Sequence, residues 1–194
     1  MIPLYVETDR LELRVLDVSA ADMITAFYIE NRQDFERFDP PHGEDFYTSE
    51  TQRGLLEAER TLLIEGRGIR FYIFLKEAPD ACIGSVSFAY LSKEDSRTPS
   101  IGYKLAKKHR HMGYAHEAAS ALIPLVFENY GISRLEADIL PENLPSVRLA
   151  VRLGFEKDEI PILLKTCNSD REVPHTRYFL EKTGRGAFAK IDRP

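Results

Sequence analysis

The segment from Ser100 to Tyr130 joins two different hydrophobic periods across one glycine. Ser100 to Leu105 alternates polar and apolar residues, as a strand does. Tyr114 to Tyr130 instead sets Ala115, Ala118, Ala119, Leu122, Val126 and Tyr130 near one face of a helix. Pro124 inside that helix removes a backbone donor and predicts a kink. A strand feeding a helix in this way points the helix's first N–H groups, and the positive end of its dipole, back at the connecting loop. Such an end binds anions when the backbone around it is uncrowded, which is the role Gly113 and the small Ala115 would fill. Lys107, Lys108 and Arg110 add positive charge beside it.

Charge distribution sharpens this reading. The chain of 194 residues carries a net charge of −5, which argues against general affinity for nucleic acid. Yet Ser96 to His116 contains no acidic residue, and holds Arg97, Lys104, Lys107, Lys108, Arg110, His109, His111 and His116. A basic pocket in an acidic chain fits a small polyanion; the ordinary alternative is a solvated basic loop. No stretch approaches the roughly 20 apolar residues of a membrane span. Met1 to Arg14 mixes charges with apolar residues and does not read as a signal peptide. Two cysteines, Cys82 and Cys167, make neither a disulfide framework nor a zinc site, so a reducing cytoplasm is the expected location.

The remaining elements follow from pattern and punctuation. Leu11 to Leu16 alternates as a half-buried strand. Ser19 with Asp22 resembles a capping box for a helix reaching about Asn31, and Asp39-Pro40-Pro41-His42-Gly43 reads as a loop. Ser49 with Gln52 predicts the cap of a second helix, ending near Glu65. Phe71 to Leu75 and Ile83 to Tyr90 read as a strand pair split at Ala78-Pro79-Asp80. Leu135 to Ile139 predicts a strand, Ser146 to Leu153 a short helix, Phe155 onward a strand region and Arg177 to Leu180 a last strand. The order is that of one mixed α/β domain over 1–182, with a tail over 183–194.

Common phosphate motifs are absent: there is no GxxxxGK[ST], and Gly66-Arg67-Gly68 lacks the third glycine of a dinucleotide loop. Arg110-x-x-Gly113-x-Ala115 after Ile101-Gly102-Tyr103-Lys104-Leu105, with Glu117-Ala118 following, resembles motif A of the GNAT acetyltransferase superfamily. Asn143-x-x-Ser146 and Leu153-Gly154-Phe155 resemble that family's second motif. Thr8 to Arg14 looks like the opening of the branch containing ribosomal-protein alanine N-acetyltransferases. Asn31-Arg32, Phe35, Phe38-Asp39-Pro40 and Phe46-Tyr47-Thr48 look similar to its subgroup acting on ribosomal protein S5, and His175-x-x-Tyr178 fits the branch's final strand.

The resemblance implies an α/β (α+β) fold, with a mixed, mostly antiparallel sheet of about 6–7 strands and about 4 helices, splayed between the motif A strand and the next. It implies acetyl-CoA as co-substrate and no metal, and direct acetyl transfer to a primary amine. The acceptor on this reading is a protein N-terminus, with ribosomal protein S5 the analogue. Alternatives are a small amine (polyamine, antibiotic or amino acid) and a module that holds acetyl-CoA without catalysis. A monomer or homodimer without membrane or direct nucleic-acid partners is expected. The resemblance places Tyr103, Leu105, Arg110, His111, Met112, Gly113, Tyr114, Ala115, His116, Asn143 and Ser146 at the cofactor.

An amine is largely protonated near neutrality, so transfer needs a base, and the departing thiolate needs an acid. Family members place a carboxylate five residues before the motif's Asn, here Asp138, with Glu136 on the same strand face; its ordinary reading is a surface strand carboxylate. Others use a Glu at the start of the motif A strand, where this chain has Ser100. The usual acid, a Tyr four residues before the final glycine, is Ala150 here, leaving Ser146 as the substitute or merely as a helix cap. Glu142 is a further candidate, and Glu117 reads as a dipole or capping partner. His175 reads more readily as structural, and the clustered histidines lack a fourth ligand for zinc.

Overall fold

The computed structural model describes residues 2–39, 42–93, 97–165 and 172–182. Its strands are β1 (Tyr5–Glu7), β2 (Leu11–Arg14), β3 (Gly68–Leu75), β4 (Ala78–Ala89), β5 (Ser100–Leu105), β6 (Arg134–Ile139), β7 (Glu156–Lys157), β8 (Ile162–Lys165) and β9 (Glu172–Glu181). Four α-helices accompany them: α1 (Ala21–Phe35), α2 (Ser49–Ile64), α3 (Tyr114–Tyr130) and α4 (Leu144–Arg152). The sheet order is β1-β2-β3-β4-β5-β6-β9-β7, with β8 also on β9. Its pairings are antiparallel except β5 with β6.

Both faces of the central strands are covered, which is why β3 reads as a nearly continuous apolar run. Ile69, Phe71, Ile73 and Leu75 join Leu11 and Leu13 of β2 and the inner face of α3 in one core. Tyr72 and Phe74 turn the other way, against Ile24, Phe27, Tyr28 and Leu56 of α1 and α2. The predicted inner face of α3 is observed, with Ala118, Ala119, Leu122 and Val126 fully buried; Ile123 and Phe127 join them. The helix continues through Pro124.

Local punctuation moved several boundaries. The β3–β4 turn falls at Lys76-Glu77, so Pro79 lies inside β4, beside register shifts that absorb its missing donor. The predicted Ser19 cap is not made: Asp17 caps the 3-10 turn Val18–Ala20 that leads into α1, accepting from the Ser19 N–H at 2.8 Å, while α1 itself has no side-chain cap and extends to Phe35. Thr48 caps α2 by accepting from the Thr51 N–H, while Gln52 is buried and donates to the Phe46 carbonyl. At the far end of the short α4 loop, Asn143 is the cap and accepts from the Ser146 N–H, so Ser146 is freed from that task. Cys167 and the predicted tail lie outside the described residues.

The feature that positions the site is the seam between β5 and β6. These parallel strands share a single register pair, Ser100 with Glu136, and then diverge. On its other side β5 is held along its whole length by β4, from Ala89–Ser100 to Gly84–Leu105. Gly84 allows the tightest approach, since a Cβ there would stand 2.5 Å from the Lys104 carbonyl oxygen. The sheet therefore opens on the β6 side only.

Candidate active site at the open seam

Past Leu105 the chain makes a short 3-10 turn and reaches α3 through two left-handed residues, His111 (φ 64°) and Gly113 (φ 82°). Left-handed backbone is strained for a side-chain-bearing residue, so Gly113 is the permissive choice at the helix entry. No side chain caps α3, which leaves its first N–H groups for another acceptor. The loop is braced from outside by Arg10. Its Nη1 donates to the Met112 carbonyl at 2.9 Å, its Nε donates to Glu117 at 2.7 Å, and its guanidinium lies 4.5 Å over the Tyr114 ring. Glu117 also accepts from the Thr8 hydroxyl and the Arg10 N–H, so it fastens the β1–β2 turn to α3 rather than facing a substrate.

Burial pushes against ionisation of Glu117, but the hydrogen bonds from Thr8 and Arg10 outweigh it and lower its pKa below 4.5. A depressed folded-state value means the stabilisation is present in full above the unfolded value and is lost as pH falls through the folded one. Glu117→Gln is therefore expected to cost about 1–2 kcal/mol at neutral pH. The gap from the parent should close in thermal melts below the ordinary carboxylate range. A gap independent of pH would contradict the clamp.

A cavity of about 480 Å³ opens over this loop. Tyr103 and Leu105 of β5 line it, as do Arg110, His111, Gly113, Tyr114, Ala115 and His116 of the cradle and Asn143 and Ser146 of α4. Of the sequence-predicted set, Met112 is the exception: its side chain is half exposed and its carbonyl is taken by Arg10. The left-handed turn at His111 and Gly113 directs that residue outward.

The basic loop is less free than its sequence indicates. Lys107 and Arg110 each approach Asp34 at 3.7 Å, Lys108 pairs with Glu30 at 3.1 Å, and Lys104 pairs with Asp39. Arg110 also donates to the Leu105 carbonyl, so part of its function is to hold the loop. Two cations missed by sequence reasoning, Arg148 and Arg152, reach the same cavity from α4. They stand four residues apart on one helix face, and that spacing was the available signal. His116 sits beside Arg152; burial first, and then the arginine's charge, hold its pKa below the usual histidine range. Its buried Nε2 has no partner.

A second cavity of about 150 Å³ occupies the seam itself, between Ile101 and Gly102 of β5 and Ala137 and Asp138 of β6. Phe38, Asp39, Tyr103, Asn143 and Ser146 line both cavities and mark their junction. There the Tyr103 hydroxyl donates to the Ser146 carbonyl and accepts from Ser146 Oγ, each at 3.0 Å. Asp138 accepts from Arg177 at both oxygens, at 2.9 and 3.2 Å, and Arg177 also reaches Glu136 at 3.1 Å. The hydrogen bond to the Asp138 carboxylate raises the Arg177 pKa, against the lowering effect of burial. Glu136 is buried and is also paired with Arg134. His175 completes the second cavity, with Nδ1 2.9 Å from the Val173 carbonyl. Among the described residues, no three His, Cys, Asp or Glu side chains converge as a metal-holding group. No helix among them is long and apolar enough to cross a membrane.

The family model for the acetyltransferase (GNAT) domain matches residues 10–156. An uncharacterized N-acetyltransferase p20 from Bacillus licheniformis is 32% identical over 151 residues, covering 78% of this chain and 82% of its own. The [Ribosomal protein uS5]-alanine N-acetyltransferase of Escherichia coli is 26% identical over 151 residues, covering 78% and 77%. Among solved structures, Mycobacterium smegmatis RimJ in complex with CoA-disulfide superposes with a TM-score of 0.75 at 21% identity, covering 88% of this chain and 81% of that one. With the strand–cradle–helix unit, the open seam and the matched span in agreement, the chain belongs to the GNAT family of N-acetyltransferases.

Proposed function

We propose that the protein moves the acetyl group of acetyl-CoA directly to a primary amine, the N-terminal α-amino group of a ribosomal or other protein. The observation that carries this is the shared wall of the two cavities: an anion cradle on one side, an open seam between strands on the other, and five residues that line both. On this reading the pyrophosphate lies on the first turn of α3, as at other helix N-termini, and Arg148 and Arg152 neutralise phosphate charge. Asn143 and Ser146 meet the pantetheine arm, and backbone N–H groups of β5 facing the seam polarise the thioester carbonyl.

A protein acceptor is favoured over a polyamine by the state of the carboxylates. Asp39 and Asp138 line the second cavity but are already paired with Lys104 and Arg177. A polycation would have to displace those cations. An acceptor chain entering past Phe38 and His175 needs only one amine at the junction. The working unit on this reading is 1–182, acting in the cytoplasm, where a ribosomal-protein acceptor would be met.

Asp138 serves as the base through a water molecule while Arg177 holds its orientation. A thiol-release assay with alanine-initiated peptides and a panel of small amines tests the whole reading. Acetyl transfer to peptides supports it, and CoA binding without transfer to any amine overturns it. Asp138→Asn is expected to lower turnover about 100-fold and flatten its pH dependence, with CoA affinity unchanged. An unchanged pH–rate profile would return Asp138 to a purely structural ion pair and move the base to His175.

A further inference from the structure

Tyr103 lies on the inward face of β5 and packs against the main core, yet its hydroxyl stands at the junction of both cavities. It crosses from the sheet to the first turn of α4, where Ser146 Oγ donates to the phenol oxygen and the Ser146 carbonyl accepts the phenol proton. One turn further along α4 stands Ala150, which is 1% exposed and offers no donor. Asn143 caps α4 through Oδ1, and its remaining amide group can hydrogen-bond but is no acid. Ser146 Oγ donates to the phenol, and the phenol O–H, which rests on the Ser146 carbonyl, can turn from there toward a group at the junction.

We infer that Tyr103, supported by Ser146, is the acid that protonates the sulfur leaving the thioester. The inference rests on the acetyl-transfer reading above. The acceptor nitrogen bonds to the carbonyl carbon, the carbon–sulfur bond breaks, and sulfur departs with the electron pair. The Tyr103 O–H turns from the Ser146 carbonyl to that sulfur and gives up its proton, yielding the CoA thiol and a phenolate. The phenolate keeps the hydrogen bond from Ser146 Oγ–H and regains a proton from the one lost by the amine, relayed through water, so no charge accumulates. A serine hydroxyl alone would be a much weaker acid than a phenol.

The surroundings suit this exchange. Burial raises the Tyr103 hydroxyl to about 12, against the lowering contact with Ser146, so the phenol is protonated at neutral pH. A thiolate leaving toward partly buried surroundings is disfavoured by desolvation, so a donor beside the sulfur lowers the barrier to its departure. The ionisable groups near the junction are Asp39 with Lys104, Asp138 with Arg177, His175, and Tyr178 from β9. Each carboxylate there has its own cation.

The test uses CoA itself and needs no acceptor. The thiol of bound CoA is titrated by its ultraviolet thiolate band in the parent protein and in Tyr103→Phe, with the desulfo-CoA complex subtracted to cancel tyrosine absorbance. A donor at the sulfur stabilises the thiolate, so CoA bound to Tyr103→Phe is expected to ionise at a pH higher by about one unit, a tenfold shift in the equilibrium. With an alanine-initiated peptide, kcat should fall about 100-fold while the KM for acetyl-CoA stays within about threefold. Identical thiol titrations in the two proteins overturn the inference, because a merely structural tyrosine would change melting temperature or affinity but not thiol ionisation. Failure of the parent protein to bind CoA at all overturns the acetyl-transfer reading first, and is distinguishable from that result.

Discussion

Gly113→Glu is expected to reduce CoA affinity at least 100-fold, which corresponds to about 2.7 kcal/mol. Three effects act together at this position. The backbone φ of 82° is strained for any side chain, at a cost of roughly 1–2 kcal/mol. A Cβ would stand 3.3 Å from Arg10 Nη2, and a carboxylate placed there would draw that guanidinium away from Glu117 and from the Met112 carbonyl. Negative charge would also stand at the positive end of α3, where the phosphates are to lie. Calorimetric titration with CoA measures the loss. Gly113→Ala separates the terms, since it carries the backbone strain without the charge, and should lose only about tenfold. Unchanged affinity in Gly113→Glu would remove the cradle from this loop.

Phe71→Ala is expected to destabilise the protein by about 3–5 kcal/mol, the usual range for emptying a buried phenylalanine site. Phe71 is fully buried at the centre of β3, among residues of β2, β4 and α3 that are themselves held in a sheet and cannot collapse into the space. For a chain of 194 residues this corresponds to a fall in melting temperature of roughly 6–20 °C. Leu163→Ala provides the contrast: Leu163 is 60% exposed on β8, and its loss should change stability by no more than about 0.5 kcal/mol. A Phe71→Ala effect near 1 kcal/mol would mean that the core relaxes around β3 more than the packing allows.

What the sequence conveyed and what it hid follow from range. The cradle was legible because its parts are contiguous: a strand, a glycine and an apolar-faced helix dictate an anion site from Ser100 to Tyr130 without reference to the rest of the chain. Boundaries failed where two local signals competed. Ser19 and Asp17 both offer caps, and the structure uses Asp17; Pro79 reads as a turn, but the two-residue turn precedes it. Long-range pairings were invisible. Nothing near Lys107 or Lys108 announces Asp34 and Glu30 on α1 as their counter-charges, so the loop's free charge was overstated. Arg10 bracing Tyr114 and Glu117 lies more than a hundred positions away in sequence, and Tyr103 meeting Ser146 joins a strand to a helix 43 residues on. Asp138 was legible as a candidate, but Arg177 across the β6–β9 ladder was not.

The single register pair between β5 and β6 has a further consequence for solution behaviour. An unpaired strand edge is a template for another chain, and proteins ordinarily disarm it with charge, proline or a covering element. Here two unpaired edges are turned toward each other inside a wedge, closed at one end by Ser100 and Glu136, with Ser146 of α4 among the residues that line it. A foreign strand cannot lie flat against either edge, because the sibling strand occupies the other side of the gap. The wedge thus keeps a length of open strand edge facing a narrow gap, wide enough for a slender guest and too narrow for another strand to pair along it.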